Sequence, residues 1–178
     1  MTRWKLPRQL APAAVERLHL PSGRVASVPK ATPTFRPWTG KPILDEYGGK
    51  PVLEWKGRPY FAELLILELL RAEGWNGFWM DTYRNRRILD MSLASIQQLP
   101  PRIAPVISRI RALCGSRFGC FDVVAERAGE ILFVEAKRAG KDKLRETQLR
   151  WIDAALSCGV RPEHLLIVEW SAVPDPLE

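Results

Sequence analysis

The chain has 178 residues, of which 46% are hydrophobic and 26% are charged. These values are typical of one folded globular domain and exclude a disordered or fibrous chain. No run approaches the roughly 18 consecutive apolar residues of a membrane span, and the first residues lack the apolar core of a signal peptide. We therefore expect a cytoplasmic protein without a membrane partner. The three cysteines lack CxxC spacing, which gives no indication of a disulfide framework or a zinc site.

The charge of the chain is uneven along its length. A net charge of +7 and a pI near 9.7 favour an anionic partner. Residues 1–59 hold 11 Lys or Arg against 4 Asp or Glu, whereas the remainder holds 16 of each. The same first third carries nine of the fifteen prolines, which excludes long helices and predicts extended, loop-like structure. We expect a basic N-terminal arm over residues 1–59, which contacts nucleic acid or only keeps the protein soluble, and a domain over residues 60–178.

Residues 60–74 are rich in helix formers and end on a glycine suited to a helix C-terminus. This predicted helix is apolar on nearly every side, so it belongs in the middle of the fold. A glutamate inside it, such as Glu63, is then either a satisfied buried carboxylate or part of a site.

Three further segments predict regular secondary structure. Residues 77–80 predict a short strand, and residues 88–98 and 103–114 predict two amphipathic helices separated by Pro100 and Pro101. We assign no chemistry to these two helices.

The sequence around Ala128 and Gly129 predicts a β-hairpin over residues 119–137, because two β-prone runs flank a turn pair. In a two-residue loop Arg127 pairs with Glu130. This register places Asp122 opposite Glu135, with Lys137 on the same face.

Two carboxylates on opposed residues, with Cβ atoms about 4.5–5.5 Å apart, repel each other unless a cation lies between them. Oxygen ligands of this kind suit Mg²⁺ held together with a substrate phosphate. Lys137 would either orient the attacking water or neutralise charge in the transition state. The alternative is a solvated Glu-Lys pair worth under about 1 kcal/mol. The apolar run at residues 131–134, which is typical of a central strand, favours the functional interpretation.

A basic loop at residues 138–143 precedes a predicted helix from about Leu144 to Cys158. Gln148 lies on the apolar stripe of this helix, where a buried amide needs partners. It either bonds a nearby backbone group or helps to position the site. Residues 165–170 predict another buried strand.

This ordered set resembles the PD-(D/E)XK nuclease superfamily, most closely its VRR-NUC and Holliday-junction-resolvase-like members. The resemblance covers about residues 60–170 and implies a restriction-endonuclease-like α/β fold, with a central mixed β-sheet flanked by helices and a helical insertion at residues 88–114. It also implies that Asp122, Glu135 and the Ala136 carbonyl bind Mg²⁺, that Lys137 assists the nucleophilic water and that Gln148 supports the site. Glu63 would complete the metal ligands. Phe121 stands where the family commonly has proline.

The resemblance implies a Mg²⁺-dependent endonuclease acting on DNA, in which Mn²⁺ can substitute. Basic side chains after the hairpin are expected to hold the nucleic acid: Arg138, Lys141, Lys143 and Arg145, with Arg84, Arg86 and Arg87 as further candidates. A homodimer is also compatible, since many nucleases that cut both strands are dimeric. The main alternative is a non-catalytic nucleic-acid-binding or assembly module that keeps the fold. A small-molecule enzyme finds little support, because His19 and His164 lack nucleophile pairing and metal-ligand spacing.

Overall fold

The computed structural model describes residues 5–44, 47–116 and 119–173. They form an α/β fold with one mixed sheet and flanking helices, as predicted. Among these residues, no helix has the length and apolar character of a membrane span. In chain order the elements are β1 (Ala14–His19), β2 (Val25–Ala31), β3 (Thr34–Pro37), β4 (Val52–Trp55), β5 (Arg58–Phe61), α1 (Ala62–Ala72), β6 (Asn76–Asp81), β7 (Arg86–Ile88), α2 (Ile103–Cys114), β8 (Val123–Arg127), β9 (Glu130–Arg138), α3 (Glu146–Ser157) and β10 (Leu165–Ala172).

The strands follow the order β5-β4-β3-β10-β9-β8-β6-β7 across the sheet. The hairpin β8–β9 is antiparallel, and β10 runs parallel to β9. On its other edge β10 pairs first with β2 and then with β3, both in parallel. Strand β1 continues the sheet by pairing with β2. The hairpin that carries the predicted site is therefore in the interior of the sheet.

Two apolar cores cover the two faces of the sheet. Alternation along β9 places Leu132 and Val134 in the core that contains α1, and Phe133 in the core that contains α2 and α3. This is the period of two expected for a strand buried on both faces. Glu135 and Lys137 follow with the parity of Phe133, so they belong to the face covered by α3.

Most of the predicted elements are confirmed, with ends shifted by a few residues: helices α1, α2 and α3, and strands β6 and β10. The predicted helix at residues 88–98 is wrong. Ile88 ends β7, and Ser95 forms a bridge back to it. Between them the Asp90 carboxylate accepts hydrogen bonds from the N–H and hydroxyl of Ser92, a local turn that competes with helix formation. The region 88–114 thus contains one helix rather than two.

The first third of the chain supplies strands. The extended backbone predicted there is confirmed, but the loop-like structure is wrong, because β1 to β4 all lie in the sheet. Pro29 is tolerated in β2 because it precedes the residues that pair with β10. That pairing involves only Lys30 and Ala31 of β2.

Candidate active site

A cavity of about 680 Å³ lies where β9 ends and α3 begins. Residues from α1, the β8–β9 hairpin and α3 line it, together with the loop before α3 and the turn after β6. Its lining residues are Glu63, Thr82, Tyr83, Gly119, Cys120, Asp122, Ala136, Lys137, Lys141, Asp142, Lys143, Arg145, Thr147 and Gln148. Residues that are far apart in sequence thus meet around one space.

The hairpin has the predicted register, with Arg127 opposite Glu130. The paired stretch ends at Val123 and Val134, so Asp122 lies one residue before it rather than in a strand pair with Glu135. The Asp122 carboxylate reaches across instead: its Oδ2 accepts a hydrogen bond from the Ala136 N–H at 2.9 Å. The Asp122 carbonyl accepts the Met80 N–H at 2.7 Å, which fixes the backbone at the sheet end.

Glu135 is the centre of a buried polar cluster and is 2% exposed. Its Oε1 lies 2.8 Å from Nζ of Lys137, which is 8% exposed. The same oxygen accepts a hydrogen bond from Nε2 of Gln148, and Gln148 Oε1 accepts the Arg145 N–H at 2.9 Å. Gln148 therefore closes the first turn of α3 and joins that helix to Glu135, so it bonds both a nearby backbone group and a candidate site residue.

Glu63 approaches from the other face of the sheet, in the first turn of α1. Its Oε1 lies 2.5 Å from Nζ of Lys50, and that ammonium is also 4.9 Å from the centroid of the Trp79 ring. The second oxygen, Oε2, is buried and has no hydrogen-bond partner among the described residues. A buried carboxylate oxygen without a donor is costly, and a cation would satisfy it.

Burial and nearby negative charge raise the pKa of two carboxyl groups, those of Asp122 and Glu135. Burial, with the nearby negative charge of Glu63, raises the pKa of Asp122 to about 6, against the opposing Lys137 ammonium and the Ala136 N–H. Burial and the Asp122 charge raise the pKa of Glu135 well above its usual value. These carboxylates gain from any cation that enters between them.

The donor set fits a hard divalent cation. Asp122, Glu135 and Glu63 offer carboxylate oxygens and Ala136 offers a carbonyl, which are ligand types that Mg²⁺ takes. Among residues 5–44, 47–116 and 119–173, no three His, Cys, Asp or Glu groups are arranged to hold a metal by themselves. Mg²⁺ does not need three, because one or two carboxylates with waters and substrate phosphate commonly hold it.

Three of the four predicted nucleic-acid contacts, Lys141, Lys143 and Arg145, line the cavity. Arg138 does not: its guanidinium lies 5.8 Å from the Trp170 ring centroid.

The three arginines after β6 have different surroundings. Arg84 stacks 3.9 Å from the centroid of the Tyr47 ring, and Arg86 donates to the Tyr47 hydroxyl and lies 3.7 Å from Asp81. These two arginines hold the turn between β6 and β7. Arg87 lies at a second, adjoining cavity.

Lys50 and Tyr83 were not predicted from the sequence as parts of the site. Lys50 lies in the proline-rich first third and meets Glu63 only through the fold. Tyr83 lines the cavity and is 94% exposed. The one available signal was an aromatic residue within an arginine-rich turn, at residues 82–87.

Comparison with models of known protein families gave no match, and comparison with curated proteins gave no significant match.

Proposed function

We propose that this protein is a metal-dependent nuclease that hydrolyses nucleic-acid phosphodiester bonds, with DNA as the expected substrate and Mg²⁺ as the cofactor. The observation that carries the proposal is that Glu63, Asp122, Lys137 and Gln148 line one cavity. Glu135 lies buried behind this lining, bonded to both Lys137 and Gln148. Their identities and order support the resemblance to the PD-(D/E)XK superfamily and its nuclease core.

The oxygen ligands of the site would bind the metal. Asp122, Glu135 and the Ala136 carbonyl would hold the cation, with Glu63 as a further ligand. When bound, Mg²⁺ supplies Lewis-acid chemistry, polarising the phosphodiester and acidifying the attacking water.

The Lys137 ammonium is buried 2.8 Å from Glu135 Oε1, so little solvent screens it. It can stabilise the negative charge that develops on the phosphoryl oxygens. Gln148 positions Glu135 by donating to the same oxygen. Lys141, Lys143 and Arg145 at the mouth of the cavity would attract the nucleic-acid backbone.

One observation favours a second function, a non-catalytic nucleic-acid-binding module. Two of the three carboxylates already have ammonium partners, Glu63 with Lys50 and Glu135 with Lys137. A site balanced in this way can persist without a metal. The two functions differ in one measurable property, metal-dependent cleavage.

The test compares wild type, Lys137→Met and Lys56→Met on labelled linear, branched and single-stranded DNA and on RNA, in Mg²⁺, Mn²⁺ or EDTA. Methionine keeps the length of the lysine stem, and Lys56 is an exposed lysine outside the cavity lining. We expect cleavage by wild type and Lys56→Met in metal only, and a loss of about 100-fold or more in Lys137→Met. Binding without cleavage in any metal would favour the non-catalytic module, and equal cleavage by Lys137→Met would exclude this active site.

A further inference from the structure

A second cavity of about 360 Å³ adjoins the candidate active site. The two cavities share three lining residues, Thr82, Tyr83 and Cys120. They therefore form one continuous groove, with the carboxylates in one part and different chemistry in the other.

The second cavity is basic. Arg87 of β7 and Arg111 in the last turn of α2 line it, and no carboxylate does so among the residues that the structure describes. Nε of Arg87 is buried, and it has no hydrogen-bond partner among the residues that the structure describes. Cys120, a buried residue, lies between the two cavities. A pocket with two guanidinium groups and no opposing acid favours an anion such as phosphate.

Tyr83 lies at the junction of the two cavities and is 94% exposed. Hydrogen bonds to Asp81 hold the turn that carries Tyr83. The Arg84 N–H donates to Asp81 Oδ1 at 3.1 Å, and the Tyr47 hydroxyl donates to Asp81 Oδ2 at 3.0 Å. Asp81 itself is buried. A fully exposed aromatic ring on an anchored turn, beside a basic cavity, has the features of a surface on which a nucleic-acid base stacks.

We infer that the second cavity is a subsite for a single-stranded stretch of nucleic acid, in which Arg87 and Arg111 bind a backbone phosphate and Tyr83 stacks on an unpaired base. The inference rests on the proposed function, because the strand would continue from this subsite to the scissile phosphate in the first cavity. A base inside a duplex is already stacked on both faces, so a Tyr83 contact selects for unpaired nucleotides. The preferred substrate is then a single strand, or a duplex with an unpaired segment at the cleavage site.

The test measures binding in EDTA, where no metal-dependent cleavage occurs, by fluorescence anisotropy. The probes are a single strand of about 12 nucleotides, as DNA and as RNA, and a blunt DNA duplex of equal length. The variants are Tyr83→Ser, Tyr83→Phe, Arg111→Ala and Arg109→Ala. Arg109 and Arg111 are both exposed on α2, but only Arg111 lines the cavity.

We expect Tyr83→Ser to weaken single-strand binding about tenfold and duplex binding little, while Tyr83→Phe, which keeps the ring, binds like wild type. Arg111→Ala should weaken binding of both DNA and RNA strands and lower the salt dependence by about one counterion, while Arg109→Ala should not. Equal losses of duplex and single-strand binding in Tyr83→Ser, or equal behaviour of the two arginine variants, would overturn the subsite.

These outcomes are independent of cleavage. A protein that cleaves in Mg²⁺ but binds without regard to Tyr83 and Arg111 loses the subsite and keeps the nuclease. A protein that binds as expected but cleaves in no metal loses the nuclease and keeps the subsite. Far-ultraviolet circular dichroism of each variant separates lost binding from lost folding. Because the Arg111 side chain is exposed, Arg111→Ala should fold as the wild type does.

Discussion

The ammonium of Lys50 lies 2.5 Å from Oε1 of Glu63 and 4.9 Å from the centroid of the Trp79 ring. A residue of the first third of the chain thus places a positive charge beside a carboxylate of the candidate metal site. The ammonium takes one oxygen of Glu63 and leaves the other, Oε2, without a partner among the described residues. Lys50 therefore competes with any cation that enters the site.

Lys50→Met should increase the affinity of the protein for Mg²⁺, because it removes this competing charge. We expect about a three- to tenfold lower dissociation constant by isothermal titration calorimetry, since one nearby charge at a partly buried site is worth about 1 kcal/mol. The melting temperature in EDTA should fall, because Glu63 loses its partner, and should recover when Mg²⁺ is added. Lys56→Met is the matched control and should change neither quantity. Weaker Mg²⁺ binding in Lys50→Met would mean that Lys50 supports the site instead.

Asp122→Asn should stabilise the protein at neutral pH in EDTA. Burial raises the pKa of Asp122 to about 6 in the folded protein, above its value in the unfolded chain. The stability linked to the protonated form is fully present below the unfolded pKa near 4 and is lost as the pH rises through about 6. Asparagine remains neutral throughout and can still accept the Ala136 N–H.

We therefore expect urea unfolding to give a free energy about 2 kcal/mol higher for Asp122→Asn than for wild type at pH 7.5, with the difference vanishing near pH 3.5. Glu146→Gln, which removes an exposed carboxylate paired with Arg150, is the control for loss of a negative charge as such. A less stable Asp122→Asn variant at pH 7.5 would show that burial of the charged Asp122 carboxylate is not the dominant effect. Mg²⁺ should raise the stability of wild type more than that of the variant.

The sequence predicted the parts of the site that follow from short-range rules. The turn pair Ala128-Gly129 set the hairpin register, and the period of two in β9 placed Glu135 and Lys137 on one face. Gln148 stood out as a polar residue on an apolar stripe. By contrast, no local pattern connects Lys50 to Glu63 or Arg87 to Arg111, because sheet topology brings these residues together. The segment 88–98 had helical spacing, but Ile88 pairs with Trp79 in the sheet, so tertiary pairing prevailed over local periodicity.

Gln148→Leu should slow cleavage and weaken α3 at once, because one side chain performs two tasks. Nε2 donates to Glu135, and Oε1 accepts the Arg145 N–H at 2.9 Å. Gln148→Glu keeps an acceptor for Arg145 but, when ionised, cannot donate to Glu135. We expect both variants to lose about 10- to 100-fold in kcat, as for other residues that orient metal ligands. Only Gln148→Leu should lose the helix cap, about 1 kcal/mol by urea unfolding in Mg²⁺. Wild-type kcat in Gln148→Glu would show that the donation to Glu135 is dispensable.

Gly119→Ala should destabilise the protein and disturb the site, because Gly119 packs against the start of α3. A Cβ at this position would lie 2.6 Å from the backbone carbon and oxygen of Thr147, and φ is +87°. The clash would push the segment that leads to Asp122 away from the helix that carries Gln148.

Gly140→Ala is the matched control, since its φ is +69° but its Cβ would meet open space. We expect the control to lose about 1 kcal/mol from backbone strain alone, and Gly119→Ala to lose about 2 kcal/mol more together with at least tenfold in cleavage rate. Equal losses in the two variants, measured by urea unfolding and by the cleavage assay, would mean that the contact with Thr147 does not hold Asp122 and Gln148 in place.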